Sequence, residues 1–357
     1  MSINDYLRFL VDKSGSDLHL KVGGPAQARI DGELSEIHDL PVLKFDDTVR
    51  FAEEVLSPAL MEKVRGGEEA DSAYSVSGLG RFRVAVFRQR GATGLVIRRV
   101  LPGSQDFDSL GLPPAVRKLS EEHRGLVLVT GPTGSGKTTT TAAMIGHINA
   151  SRRCHIVTIE DPIEILHQDN LAIVDQREVG MDTASFATAM RSVARQDPDV
   201  IFIGEMRDLE TVSAALQAAQ TGHLVVSTLH TTNATETITR IIDLYPPYQQ
   251  AQARQSLAGS LKGIVCQRLL ARQGGGRVAA LEVLVMTARI QEFISDPALL
   301  ESIEEAVAGG AYYGMQTFDQ HILNLYSQGL VTLKDALDGS TSPHDLRLAI
   351  RNAGLEG

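Results

Sequence analysis

Between Gly125 and Ala143 the chain reads GLVLVTGPTGSGKTTTTAA, and no other stretch restricts its fold as tightly. An apolar run suited to a strand leads into Gly131–Thr138, GPTGSGKT, which fits G-x-x-x-x-G-K-[ST], and a helix-forming segment follows. The glycines let main-chain N–H groups wrap a phosphate chain at a helix N-terminus, where negative charge is favoured. In that pattern Gly131, Thr133, Gly134, Ser135 and Gly136 line the phosphates together with Thr139. Lys137 reaches the β- and γ-phosphates, and Thr138 offers a hydroxyl to Mg²⁺. ATP with Mg²⁺ is therefore the expected ligand, and a strand–loop–helix start implies an α/β layered domain.

The pattern then repeats. GLVLVTG, CHIVTIED, DVIFIGEM and HLVVSTLHT are apolar on both faces and alternate with helix-like segments, which predicts a parallel sheet covered on both sides. From about Ala288 the reading is helical, with glycine joints at Gly309–Gly314 and Gly329. The first hundred residues differ: a polar helix near Ile3 to Lys13, hairpin strands in SDLHLKVGGPAQARIDGEL, and an alternating pair in GRFRVAVFRQRGATGLVIRRV with Gly91 to Gly94 as its turn. This predicts a small α+β domain over residues 1–100. LPGSQDFDSLGLPP breaks both periods, placing a linker at 101–114 and the ATPase domain at 115–357.

With 44 acidic against 34 basic side chains the formal charge is −10, which argues against nucleic acid as the main partner. No apolar run approaches the ~20 residues needed to span a bilayer, and MSINDYLRFL lacks the form of a secretion signal. The expected location is the cytoplasm. Cys154 and Cys266 are the 2 cysteines; without metal-ligand spacing they are expected to be buried thiols, Cys154 in a strand-like and Cys266 in a helical context.

Two predicted strands end in acids. TIEDPIE carries Glu160, Asp161 and Glu164, and VIFIGE ends at Glu205. At the C-terminal edge of a parallel sheet, such carboxylates can orient an attacking water or hold Mg²⁺ through water; the alternatives are a helix N-terminal acidic cluster and a solvated strand end. His223 and His230 frame the fourth strand, roughly 20 Å apart and too far for one metal ion. His230 falls at the edge where the γ-phosphate would sit. Arg81, Arg83, Arg88, Arg90, Arg98 and Arg99 crowd the hairpin; they read either as a solvated basic face or as arginines that neutralise transition-state charge.

SDLHL…RIDGEL, GPTGSGKTTT, TIEDPIE, DQREVG, RQDPDVIFIGEMRDLETVSAAL, AAQTGHLV, STLHT and GGGRVA…E occur in order over nearly the whole chain. Together they resemble the secretion ATPase superfamily and, within it, the PilT-like type IV pilus retraction ATPases. The resemblance implies a homohexameric cytoplasmic ATPase at the cytoplasmic face of the inner membrane, with a PAS-like N-terminal domain and a RecA-like P-loop NTPase domain carrying C-terminal helices. It would engage an inner-membrane platform protein, and other pilus ATPases, to drive pilus retraction and twitching motility. Carried over by position, Glu164 becomes the catalytic base, Glu160 a supporting acid and Glu205 the acid near Mg²⁺. His230 faces the γ-phosphate, and Arg83 and Arg98, with Arg81 nearby, contact nucleotide from the N-terminal domain.

The four-cysteine zinc module and longer N-terminal region of extension and type II relatives have no counterpart here, which favours the retraction branch. Gln291 and Glu292 in ARIQEFI stand where that branch carries Arg-Asn, keeping an accessory retraction paralogue as one alternative and a type II secretion or conjugation ATPase as another. Outside the family, the rivals are a nucleic-acid motor, a small-molecule kinase and an ATP-binding scaffold that barely hydrolyses.

Overall fold

The computed structural model describes residues 1–30, 32–38 and 40–355; Asp31, within the RIDGEL segment, lies outside them. The chain divides into two compact units, Met1–Pro102 with Glu164–Leu166, and Gly103–Ile163 with His167–Gly357.

The first unit is one largely antiparallel sheet of β1 (Asp17–Leu20), β2 (Gln27–Ile30), β3 (Glu33–Glu36), β4 (Ala70–Val76), β5 (Gly80–Gln89) and β6 (Ala92–Pro102), in the order β3-β2-β1-β6-β5-β4. A short strand from further along the chain, β9 (Ile165–Leu166), pairs in parallel with Leu101 and Pro102. The period-2 pattern separates the two faces. Leu18, Phe82, Val84, Val86, Leu95 and Ile97 form a core with the apolar stripes of helices Ile3–Asp12, Phe45–Val55 and Pro58–Arg65. By the same alternation Arg81, Arg83 and Arg98 fall on the opposite face, whereas Arg88 and Arg99 share the parity of the core residues and Arg90 lies in the β5–β6 turn.

The β5–β6 turn is tighter than the expected Gly91 to Gly94. Arg90 and Gly91, with φ of 49° and 78°, form it alone, and positive φ at both central residues matches the twist of a two-residue hairpin. Gly94 belongs to β6, where a Cβ would come within 3.1 Å of the Phe87 ring. Leu101 and Pro102, expected at the start of the linker, are the last residues of β6 because β9 gives them a ladder partner, and Pro114 already begins helix Pro114–Ser120. The segment between them is anchored to the second unit. Phe107 is buried with its ring 5.3 Å from that of His147, and Ser104 sits so close over Gly146 that a Cβ there would meet its hydroxyl at 2.0 Å.

The second unit is a sheet of β7 (Gly125–Thr130), β8 (His155–Glu160), β10 (Ile173–Glu178), β11 (Val200–Ile203), β12 (Leu224–Leu229), β13 (Leu261–Ala271) and β14 (Arg277–Val285), in the order β10-β8-β11-β12-β7-β13-β14. All neighbours are parallel except the β13–β14 hairpin. Every residue of β7, β11 and β12 is buried, as expected of parallel strands covered on both faces. The α/β class expected from the sequence holds, and three strands were not anticipated. β10 is a polar edge strand without an apolar run. β13 and β14 carry Lys262, Gln267, Arg268 and Glu282 within their apolar runs, which blurs the signal. Cys266, expected in a helical setting, is therefore a buried strand residue, while Cys154 is half-buried just before β8.

Of the C-terminal helices, which run from Ala288–Ser295 to Pro343–Asn352, Phe318–Ser327 packs on β14, and the segment just before it lies along that strand. Val283 and Gln316 exchange backbone hydrogen bonds, the Gln316 amide donates to the Leu281 carbonyl at 3.0 Å, and the Leu281 N–H donates to His321 Nδ1 at 2.9 Å. Burial pushes the His321 pKa down to about 4, so the ring stays neutral and can accept that bond.

Candidate nucleotide site

β7 delivers its chain end into the loop Gly131–Gly136, and helix Lys137–Ser151 starts from it. Two glycines are required by what lies beneath. A Cβ on Gly131, at φ 145°, would come 2.4 Å from the Gln267 carbonyl oxygen, and one on Gly136, at φ 90°, would come 2.7 Å from the Gln267 amide. Gln267 on β13 is thus the floor of the loop. Its Oε1 accepts a buried 2.7 Å hydrogen bond from the Thr140 hydroxyl, tying floor to helix. The sequence offered no motif for Gln267; only pairing β13 beside β7 reveals it.

Within the loop, Thr133 and Gly134 are exposed at the tip, Thr138 is exposed on the first helical turn, and Thr139 is half-buried. The Lys137 ammonium donates to the carbonyls of Gly131 at 2.7 Å and Pro132 at 3.1 Å, which holds it over the loop. The Ser135 hydroxyl is buried with no hydrogen-bond partner among the described residues, as suits a group that awaits a polar ligand. These residues fit a phosphate chain.

Parallel pairing lines up the other ends. Ile203 sits in register with both Ile159 and Ser227, and Leu229 with Thr130. Glu160, Glu205, His230 and the phosphate loop therefore emerge along one edge of the sheet, from the neighbouring strands β8, β11, β12 and β7. Glu160 is buried and held by hydrogen bonds from Thr158 (2.6 Å) and Gln176 (3.0 Å). Glu205 lies 3.1 Å from His230 and 2.7 Å from Arg207. Burial pushes the Glu205 carboxyl up, but hydrogen bonds and charge from Arg207 and His230 outweigh it and hold the group below the usual range. Arg207, two residues beyond the motif, was not singled out from the sequence, although GEMRD prints it beside the acid. His223, at the far end of β12, instead bonds the Ala218 carbonyl at 3.0 Å.

Both oxygens of Glu205 are engaged by Arg207 and His230, so this acid would meet Mg²⁺ through water, with the exposed Thr138 hydroxyl left for direct ligation, a sparse protein contribution that Mg²⁺ accepts beside nucleotide phosphates. Among the described residues, no group of three or more His, Cys, Asp or Glu forms a metal cage.

The remaining predicted residues belong to the first unit. Arg83 and Arg98 are in-register neighbours on β5 and β6, and Arg98 donates to Asp17 on β1 at 2.7 Å. Burial raises the Asp17 carboxyl, yet hydrogen bonds from Arg98 and Ser16 hold it below its ordinary value. Arg29 lies 3.8 Å from Asp17, and Arg81 donates to Ser75. Glu164 is exposed and groups with β9 in this unit, whereas Glu160 stays with β8. The acidic segment is divided between the two units at Ile163.

The type II/IV secretion system protein family matches residues 74–338. The chain belongs to this secretion family. Among its relatives, the type IV pilus retraction ATPase PilT of Pseudomonas aeruginosa is 40% identical over 97% of this chain and 100% of its own length. The type IV pilus ATPase PilU of the same organism is also 40% identical, over 98% of this chain and 92% of its own. A crystal structure of the pilus retraction motor PilT with bound ADP superposes with a TM-score of 0.89 at 45% identity, covering 98% of this chain and 99% of that one. The secretion-family chain thus has the fold of that motor over nearly its full length. Among the described residues, no helix is long and apolar enough to cross a membrane.

Proposed function

We propose that this secretion-family chain is a Mg²⁺-dependent ATPase motor of type IV pilus retraction, working as a homohexamer at the cytoplasmic face of the inner membrane on a platform protein. The observation that carries the reading is the single sheet edge where the phosphate loop, Glu160, Glu205 and His230 emerge from neighbouring strands, in a chain that matches PilT end to end. Lys137 and the loop N–H groups hold the phosphates, Thr138 and Glu205 hold Mg²⁺, and His230 reads the γ-phosphate through its contact with Glu205. Bound Mg²⁺ would neutralise phosphate charge as it develops. Glu164 acts as the base for water and Glu160 supports it; Arg83 and Arg98, with Arg81, supply positive charge from the N-terminal PAS-like domain of residues 1–100.

Equal identity to PilU, together with the exposed Gln291 and Glu292 on helix Ala288–Ser295, favours an accessory retraction paralogue as the second reading.

Steady-state ATP hydrolysis by the purified protein and by Glu205→Ala, with mass in solution measured with and without nucleotide, tests the motor. Turnover by a hexamer that falls on the order of a hundredfold or more in the variant is the expected result. A monomer, or turnover indifferent to Glu205, overturns it. Twitching by a strain lacking the gene separates the two readings: an accessory paralogue leaves retraction by the other ATPases intact.

A further inference from the structure

Among the motifs read from the sequence, GGGRVA…E carries an acid, Glu282, that has no part in the site as described. We propose that Glu282 is a positioning residue that fixes the loop carrying His230; the inference rests on the reading of His230 as a nucleotide-facing group.

Glu282 is half-buried on β14, between the fully buried Ala280, Leu281, Val283 and Leu284. Burial pushes its carboxyl above the usual range; the Ala234 N–H and the Cys266 thiol oppose that push, and Glu304 adds to it. An apolar side chain would serve the strand better, since a carboxyl taken from water is destabilising unless it is satisfied. What satisfies it is the N–H of Ala234, at 2.7 Å. That N–H opens helix Ala234–Asp243, and free N–H groups of a first turn need an acceptor and favour negative charge.

The segment between β12 and this helix is His230–Asn233, and each remaining residue is pinned from the helix side. Thr231 bonds the Thr237 hydroxyl at 2.7 Å, Thr232 donates to Glu236 through both N–H (2.7 Å) and hydroxyl (2.6 Å), and the Asn233 side chain accepts from Glu236 N–H at 2.8 Å. The loop is therefore rigid with respect to the helix, and Glu282 ties the helix start to the sheet.

Its place in the sheet explains the choice of strand. Leu229, Thr130, Cys266 and Glu282 form one in-register row across β12, β7, β13 and β14. Leu229 is the residue before His230, and Thr130 is the residue before Gly131. Glu282 thus anchors the histidine loop to the row from which the phosphate loop also departs, and sets the height of His230 against Glu205.

The test is a cycle of ATP hydrolysis measurements on the full chain: Glu282→Leu, which keeps the strand apolar and removes the acceptor; Glu282→Gln, which keeps an oxygen for Ala234 N–H; His230→Ala; and the double variant Glu282→Leu/His230→Ala. The expected result for Glu282→Leu is a kcat loss on the order of 10- to 100-fold with KM for ATP within about twofold. Glu282→Gln recovers most of the turnover, and the double variant is no slower than His230→Ala alone, because both changes remove one interaction.

Normal kcat in Glu282→Leu beside an impaired His230→Ala overturns the inference and leaves the site reading standing. Losses that multiply in the double variant, or a glutamine variant as damaged as the leucine one, overturn it equally, since both describe support of the fold alone. Wild-type turnover by His230→Ala removes the reading of His230 and this inference with it. Should Glu282→Leu not fold, Glu282→Ala replaces it in the cycle with the same criteria.

Discussion

The two units place functional side chains by different means. In the sheet of β7, β8, β11 and β12, the site residues follow the C-terminal ends of parallel strands, so backbone topology gathers Lys137, Glu160, Glu205 and His230 whatever their separation in sequence. In the antiparallel sheet of the first unit, Arg83 and Arg98 stand on a strand face, and Arg98 is held by a cross-strand partner, Asp17. A strand end is specified once by topology, with the loop above it and the floor below. A face position is specified only by register, and its side chain is free to take another partner. The first kind of site should fail steeply when its floor is removed, and the second should yield by small steps.

Gln267→Ala is the sharpest way to break that contrast. It leaves the buried Thr140 hydroxyl unpaired, at a cost of about 1–3 kcal/mol of stability, and lets the loop above it shift. Displacement of that order lowers kcat/KM for ATP by about 100-fold. Turnover close to wild type would mean that the loop holds its shape without the floor.

Next in size is the acid response of the β14 edge. His321 has its pKa lowered to about 4, below the value of about 6.5 it would have unfolded. Its contribution is therefore present above pH 6.5 and is lost as pH falls toward 4. Thermal unfolding should show destabilisation between pH 7 and pH 5 of which about 2 kcal/mol disappears in His321→Gln, the remainder including His167, whose pKa burial also lowers to about 4. An unchanged pH profile in the variant would assign the loss elsewhere.

The smallest effects belong to the arginine face. Asp17→Ala should cost about 1 kcal/mol, because Arg98 is largely exposed and screened by water. The Asp17 pKa is lowered, so its contribution is present above the unfolded carboxyl value and disappears as pH falls through the lowered one. Arg83→Ala should move stability by less than about 0.5 kcal/mol. A marked loss of ATP turnover in Arg83→Ala with that stability unchanged would show that the face serves chemistry; equal loss of both would make it structural.

The parts of the site legible in sequence are those where a local pattern already contains its own geometry. Gly131 to Thr138 requires a strand before it and a helix after it, and acids that close apolar runs predict an edge. Arg207 was printed in GEMRD, but nothing local says that it turns back to Glu205. Gln267 is less visible still, because a polar residue within an apolar run looks the same whether it faces solvent or a loop above, and Glu282, printed in GGGRVA…E, has nothing local to say which segment it meets. Cys266 looks helical in sequence for the same reason: β13 carries Lys262, Gln267 and Arg268 in a run that a buried strand would otherwise keep apolar.

Short-range periodicity and the backbone freedom of glycine suffice to specify a phosphate-binding strand–loop–helix opening a parallel α/β sheet, preceded by an antiparallel arginine-bearing unit. The tertiary structure was needed to set β13 beside β7, with β14 beyond it, which makes Gln267 the floor of the loop and brings Glu282 to the Ala234 N–H that opens the helix after the histidine segment. The β7–β13 pairing joins residues far apart in sequence, such as Leu126 and Leu261, and no local pattern encodes that.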